Sequence, residues 1–105
     1  MAWVYIIGTN ELDNHYKIGI TTGKLENRLK KLQTGNSAEL YFRKTFQTNT
    51  PFKLELMLHN HYHDKNIMNE WFYLDEEAVA DFVNQCKRLQ ENIDSLKENP
   101  FFKSV

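Results

Sequence analysis

Residues 4–20 read VYIIGTNELDNHYKIGI. Val4-Tyr5-Ile6-Ile7 is β-branched and aromatic, Thr9, Asn10, Asp13 and Asn14 interrupt it, and Tyr16-Lys17-Ile18-Gly19-Ile20 resumes the apolar character. Two such runs joined by turn-forming residues predict a β-hairpin. Strand side chains alternate, so Trp3, Tyr5 and Ile7 share one face and Val4 and Ile6 the other, while on the return strand Lys17 and Gly19 oppose Tyr16, Ile18 and Ile20. Antiparallel pairing then brings the Tyr5 hydroxyl and the Lys17 ammonium to one patch, where Gly19 leaves room for a ligand.

Beyond the hairpin, Thr21-Thr22-Gly23-Lys24 ends the strand, and Thr22 or Gly23 is expected to cap a helix from about Lys24 to Thr34. Leu25, Leu29 and Leu32 form its buried stripe, and Gly35 stops it in the left-handed conformation. Arg28 sits at the edge of that stripe, within reach of the sheet, whereas Lys30 and Lys31 are expected to face solvent. Glu39 to Gln47, with Leu40, Phe42 and Phe46, predicts a third, partly alternating strand. Thr50 as N-cap and Pro51 at the first helical position open a helix to about Tyr62, which carries the main acidic candidate, Glu55.

Asp64 to Asn69 reads as a turn and Trp71-Phe72-Tyr73-Leu74 as a short, dense strand. Asp75-Glu76-Glu77 opens a last helix with acids where the macrodipole favours them, and Pro100 limits it. Its Val79, Phe82, Cys86, Leu89, Ile93 and Leu96 recur at alternating spacings of three and four, a stripe suited to the domain's own sheet or to a homodimer seam. Phe101 and Phe102 are expected to tuck back against it. The expected class is therefore α/β (α+β), a small three-stranded, mostly antiparallel sheet flanked by helices. One domain would occupy residues 1–105, with its core at 3–74 and a long C-terminal helix at 75–99.

A chain of 105 residues with 41% hydrophobic and 13% aromatic residues can build one modest core without disulfides, and the single Cys86 cannot form one within the chain. The expected setting is reducing and intracellular. No apolar run approaches the roughly 18 to 20 residues of a membrane span, and the N-terminus lacks a signal pattern, so no membrane is expected as a partner. Net charge is −1, but residues 1–53 carry eight Lys/Arg against four Asp/Glu, and residues 54–105 carry five against ten. A basic half facing phosphate and an acidic half facing away fit a nucleic-acid partner.

Tyr5 in Val-Tyr-Ile, followed by Lys17-Ile18-Gly19, resembles the GIY-YIG nuclease superfamily, in the branch where lysine replaces the tyrosine of the second triplet, as in phage, viral and restriction-type members. Arg28 in Leu25-Glu26-Asn27-Arg28-Leu29, then Leu32-Gln33-Thr34-Gly35-Asn36, Leu54-Glu55 with His59, and Glu70-Trp71-Phe72 follow in the family's order. The resemblance covers roughly residues 3 to 74, and the order of several weak motifs is more specific than any one of them.

The resemblance implies an endonuclease acting on DNA with Mg²⁺ or Mn²⁺. Glu55 would hold the ion, Arg28 would meet the scissile phosphate with its planar fork, and Tyr5 with Lys17 would act at the attacking water, with Tyr16 a second candidate base. A nearby cation would lower the Tyr5 phenol pKa. His59, one turn after Glu55, would bond a phosphate oxygen or relay a proton. Tyr16, Lys24, Lys31, Gln33 and Asn36 are the expected nucleic-acid contacts, and Glu70 is expected to brace its strand. Glu55, His59 and His63 also spell a conceivable zinc site. Two other readings remain open: a nucleic-acid-binding or regulatory module without turnover, and a catalytic subunit that takes its specificity from a partner.

Overall fold

In the computed structural model, which describes residues 1–98, the predicted hairpin is formed by β1 (Ala2–Thr9) and β2 (His15–Thr21). Tyr5 pairs with Gly19 and Ile7 with Lys17, the facing expected from alternation. Asn14 takes the left-handed conformation (φ 61°) that closes the loop, a geometry asparagine tolerates.

The sheet has five antiparallel strands in the order β3-β1-β2-β5-β4, which corrects the expected three. β5 (Trp71–Tyr73) is the short strand expected at 71–74, and it pairs with an unexpected β4 (Asn66–Met68), turned at Asn69 (φ 54°) and preceded by a 3-10 turn at His63–Lys65. Strands of three residues are too short to display a period of two, so residues 64–69 resemble a plain turn. β3 (Leu40–Thr48) has a bulge: Ile6 pairs with Lys44 but Ile7 with Phe42, leaving Arg43 as the extra residue. One inserted residue moves every later side chain to the other face. Leu40 and Phe42 consequently pack beside Tyr5, and Phe46 packs on the opposite side beside Val4.

Helix α1 (Leu25–Gln33) covers the Tyr5 face with Leu25, Leu29 and Leu32. Lys24, not Thr22 or Gly23, occupies its cap position, without a side-chain bond, and Gly35 at φ 76° follows its end as expected. Helices α2 (Pro51–His61) and α3 (Glu76–Glu98) cover the other face, where Val4, Ile6 and Ile18 meet Leu54, Leu58, Phe82 and Cys86. Pro51 opens α2 as predicted, but the Thr50 hydroxyl accepts from Gln90 Nε2 of α3 at 3.0 Å instead of capping the helix. In α3, Asp75 Oδ1 accepts from the Ala78 N–H at 2.8 Å. The α3 stripe from Val79 to Ile93 is spent on the chain's own core, and Leu96 alone of that series is exposed. Pro100, Phe101 and Phe102 lie outside the described residues. No helix among the described residues is long and apolar enough to cross a membrane.

Candidate active site

β5 reaches β2 only at His15–Lys17, so the second half of β2 is an edge on that side. The Ile18 N–H makes the last bond, to the Glu70 carbonyl at 3.0 Å. The Ile18 carbonyl has no strand to receive it, and His59 Nε2 donates to it at 3.1 Å while the His59 ring stands edge-on to Phe72. His59 thereby holds α2 against the open edge. Glu55, one turn earlier, is carried on the same helical face to the border between the two sides of the sheet.

From the α1 side, Arg28 Nε donates to the Tyr5 hydroxyl at 3.0 Å. Tyr5 is fully buried, edge-on to Phe42, and its hydroxyl lies over Gly19. A Cβ at Gly19 would stand 2.6 Å from that oxygen, so only glycine admits the phenol here. Lys17 Nζ pairs with Glu70 Oε2 at 3.3 Å.

The electrostatics follow from this crowding. Burial pushes the Tyr5 phenol above its ordinary value, and the Arg28 bond and charge offset only part of that rise. This corrects the expectation of a lowered phenol, and the cation beside Tyr5 is Arg28, while Lys17 turns to Glu70. The hydrogen bond to Tyr5 in turn raises Arg28. Burial also raises Glu55, and Glu70 adds to the rise, whereas His59, Arg28 and Lys17 draw it down. Tyr5, Lys17, Arg28, Glu55 and His59 are thus brought together. Glu70 belongs with them, which its sequence position could not reveal, because its partner Lys17 is met only through the β2–β5 pairing.

A broad groove starts at the end of β2 and crosses α1, lined by Lys24, Arg28, Lys30 and Lys31, with Phe52 of α2 also on its wall and no acid among its lining residues. Lys24 and Lys31 stand where nucleic-acid contacts are expected, and Lys30, expected to face bulk solvent, joins them. Three other candidates do not. Tyr16 lies buried on the α2–α3 face, as strand alternation requires, on the opposite side of the sheet from Tyr5. Gln33 closes the α1–β3 loop, donating to the Asn36 and Ala38 carbonyls and accepting from the Leu40 N–H. Asn36 accepts from the Ala38 N–H and lines a separate hollow with Leu12 and Met68.

The zinc alternative finds no support, since α2 ends at His61 and His63 Nδ1 bonds the Asn60 carbonyl in the turn that follows. Among the described residues no three His, Cys, Asp or Glu side chains converge. A single half-buried carboxylate such as Glu55 could hold only a hard dication that keeps most of its shell as water and phosphate oxygen.

A protein-family model described as the T5orf172 domain matches residues 2–87, from β1 into α3 and across every group of this site. No curated protein and no solved structure gives a match. With most of its length inside that match, the chain belongs to the T5orf172 domain family.

Proposed function

We propose that the protein is a divalent-metal-dependent endonuclease of the GIY-YIG type, hydrolysing DNA phosphodiester bonds. The observation that carries this reading is the Tyr5–Arg28 bond of 3.0 Å in the field of Glu55, at the head of a basic, acid-free groove. The T5orf172 family's association with GIY-YIG-like nucleases supports it, as do the motif order and the two triplets on paired strands.

Glu55 would hold the ion, and Mg²⁺ or Mn²⁺ in that position supplies charge neutralisation and a more acidic bound water. Arg28 spends Nε on Tyr5, which leaves its terminal nitrogens to stabilise charge building on the phosphoryl oxygens. Tyr5, raised by burial, stays protonated at neutral pH. It therefore orients the attacking water through its oxygen, which accepts from Arg28 and from that water, while the proton the water loses passes to bulk solvent. Lys17, steadied by Glu70, adds positive charge at the reacting phosphate. His59 is a positioning residue that seats the helix bearing Glu55.

Incubation of the purified protein with supercoiled plasmid tests the reading. Nicked and linear DNA is expected with Mg²⁺ or Mn²⁺ and none with EDTA. Intact plasmid with both ions, from protein shown to be folded, overturns hydrolysis, and retention of DNA in that sample is what a binding module without turnover gives.

A further inference from the structure

We propose that Phe52 is a stacking platform for an unpaired base, so that the DNA this site takes carries an unstacked nucleotide, as in a bulge, a flap or a single strand. The inference rests on the nuclease reading and names its substrate class. Phe52 is 70% exposed and Leu56, one turn on, is 63% exposed. Neither serves the core, because α2 buries Leu54 and Leu58 instead. Residues 52, 55, 56 and 59 fall on one helical face, which puts Phe52 one turn from Glu55.

Phe52 lines the same groove as Lys24, Arg28, Lys30 and Lys31. Cations alone suffice to clamp a phosphate backbone, so charge gives no reason for an aromatic side chain left in water there. Interleaved cations and an exposed ring are what single-stranded nucleic acid recognises, each base–aromatic stack contributing about 1–3 kcal/mol. A continuous duplex keeps its base faces stacked and offers Phe52 nothing flat to cover. Lining residues free of acid fit a polyanion and disfavour a basic peptide.

The test uses the full chain as Glu55→Gln, which binds without cutting, and fluorescence anisotropy with a 25-mer duplex, the same duplex with one bulged nucleotide, and a single strand. The readout is the preference for bulged or single-stranded DNA over continuous duplex. That preference is expected to be well above one, to fall by about 5- to 150-fold with Phe52→Ala, and to return with Phe52→Trp. A 2-aminopurine at the bulge should lose its quenching in Phe52→Ala. Equal affinity for all three DNAs, or a preference untouched by Phe52→Ala, overturns the stacking role and leaves the nuclease reading standing. Failure to bind any of the DNAs overturns both.

Discussion

On the α2–α3 side of the sheet, Val4, Ile6, Ile18, Leu54, Leu58, Phe82 and Cys86 are all sealed from solvent, whereas the apolar cluster on the α1 side is sealed at Tyr5, Ile7 and Leu40 and no residue of α1 itself is buried. Helices of 11 and 23 residues close the first side, and one of 9 residues lies over the second. Burial of apolar surface is the main favourable contribution to folding, so stability is concentrated on the α2–α3 side. The thinner side leaves Arg28, Lys17 and Glu70 partly open to solvent, with Arg28 bonded to the buried Tyr5 hydroxyl and lining the basic groove. The two sides meet at the half of β2 that β5 does not reach, where α2 brings Glu55 to the border. Such a division lets the chemistry be altered with little cost to the fold.

Substitutions can break or sharpen that contrast. The largest effect is expected from Glu55→Gln, which should slow plasmid nicking by about 10³-fold or more while leaving the circular dichroism spectrum unchanged. A loss of fold in that variant would mean that the two regions are not separable.

Next come matched truncations on either side of the sheet, compared by urea denaturation. Phe82→Ala should cost about 3–5 kcal/mol, as expected for a sealed aromatic, and Leu29→Ala about 1–2 kcal/mol, because Leu29 is only half-covered. Equal losses would erase the difference between the faces.

Gly19→Ala drives a methyl into the Tyr5 hydroxyl, and the expected cost is about 1–3 kcal/mol of stability together with loss of the Tyr5–Arg28 geometry and of cleavage. Unchanged nicking by this variant would show that the phenol does not need its present seat.

The smallest effect is alkaline. Burial pushes the Cys86 thiol up to about 12 and holds the Tyr62 phenol above its ordinary 10.0. The unfolded chain ionises both groups at their ordinary values, so it releases protons first, and stability should fall as pH rises from about 9 towards 12. Tyr62→Phe removes one contribution along with a buried hydroxyl that has no partner. Its stability at pH 7 should equal or exceed the wild type by less than about 1 kcal/mol, with a shallower alkaline decline in chemical-denaturation titrations.

Much of this arrangement is legible in the chain. Alternation alone puts Tyr5, Lys17 and Gly19 on one face and excludes Tyr16 from it, and the leucine spacing of α1 leaves Arg28 at the border of its stripe. β5 stands where the short strand at 71–74 is expected, but β4, three residues inside what reads as a turn, is not legible, nor is the bulge at Arg43 that sends Phe42 and Phe46 to opposite sides. Glu70 and Phe52 escape for another reason: their roles depend on neighbours distant in sequence, Lys17 across a strand pairing and the α1 lysines across a groove. Gln33 likewise passes for a surface amide until its loop closes around it.

That Glu55 and the α1 side of the sheet share one site is tested most directly by adding Mn²⁺ to ¹⁵N-labelled protein and recording which amide resonances broaden. Broadening centred on Glu55, Gly19 and Glu70 and reaching Arg28 is predicted, and it should disappear in Glu55→Gln. Broadening centred on the acidic surface of α3, with Glu55 and Gly19 left sharp, would contradict the shared site.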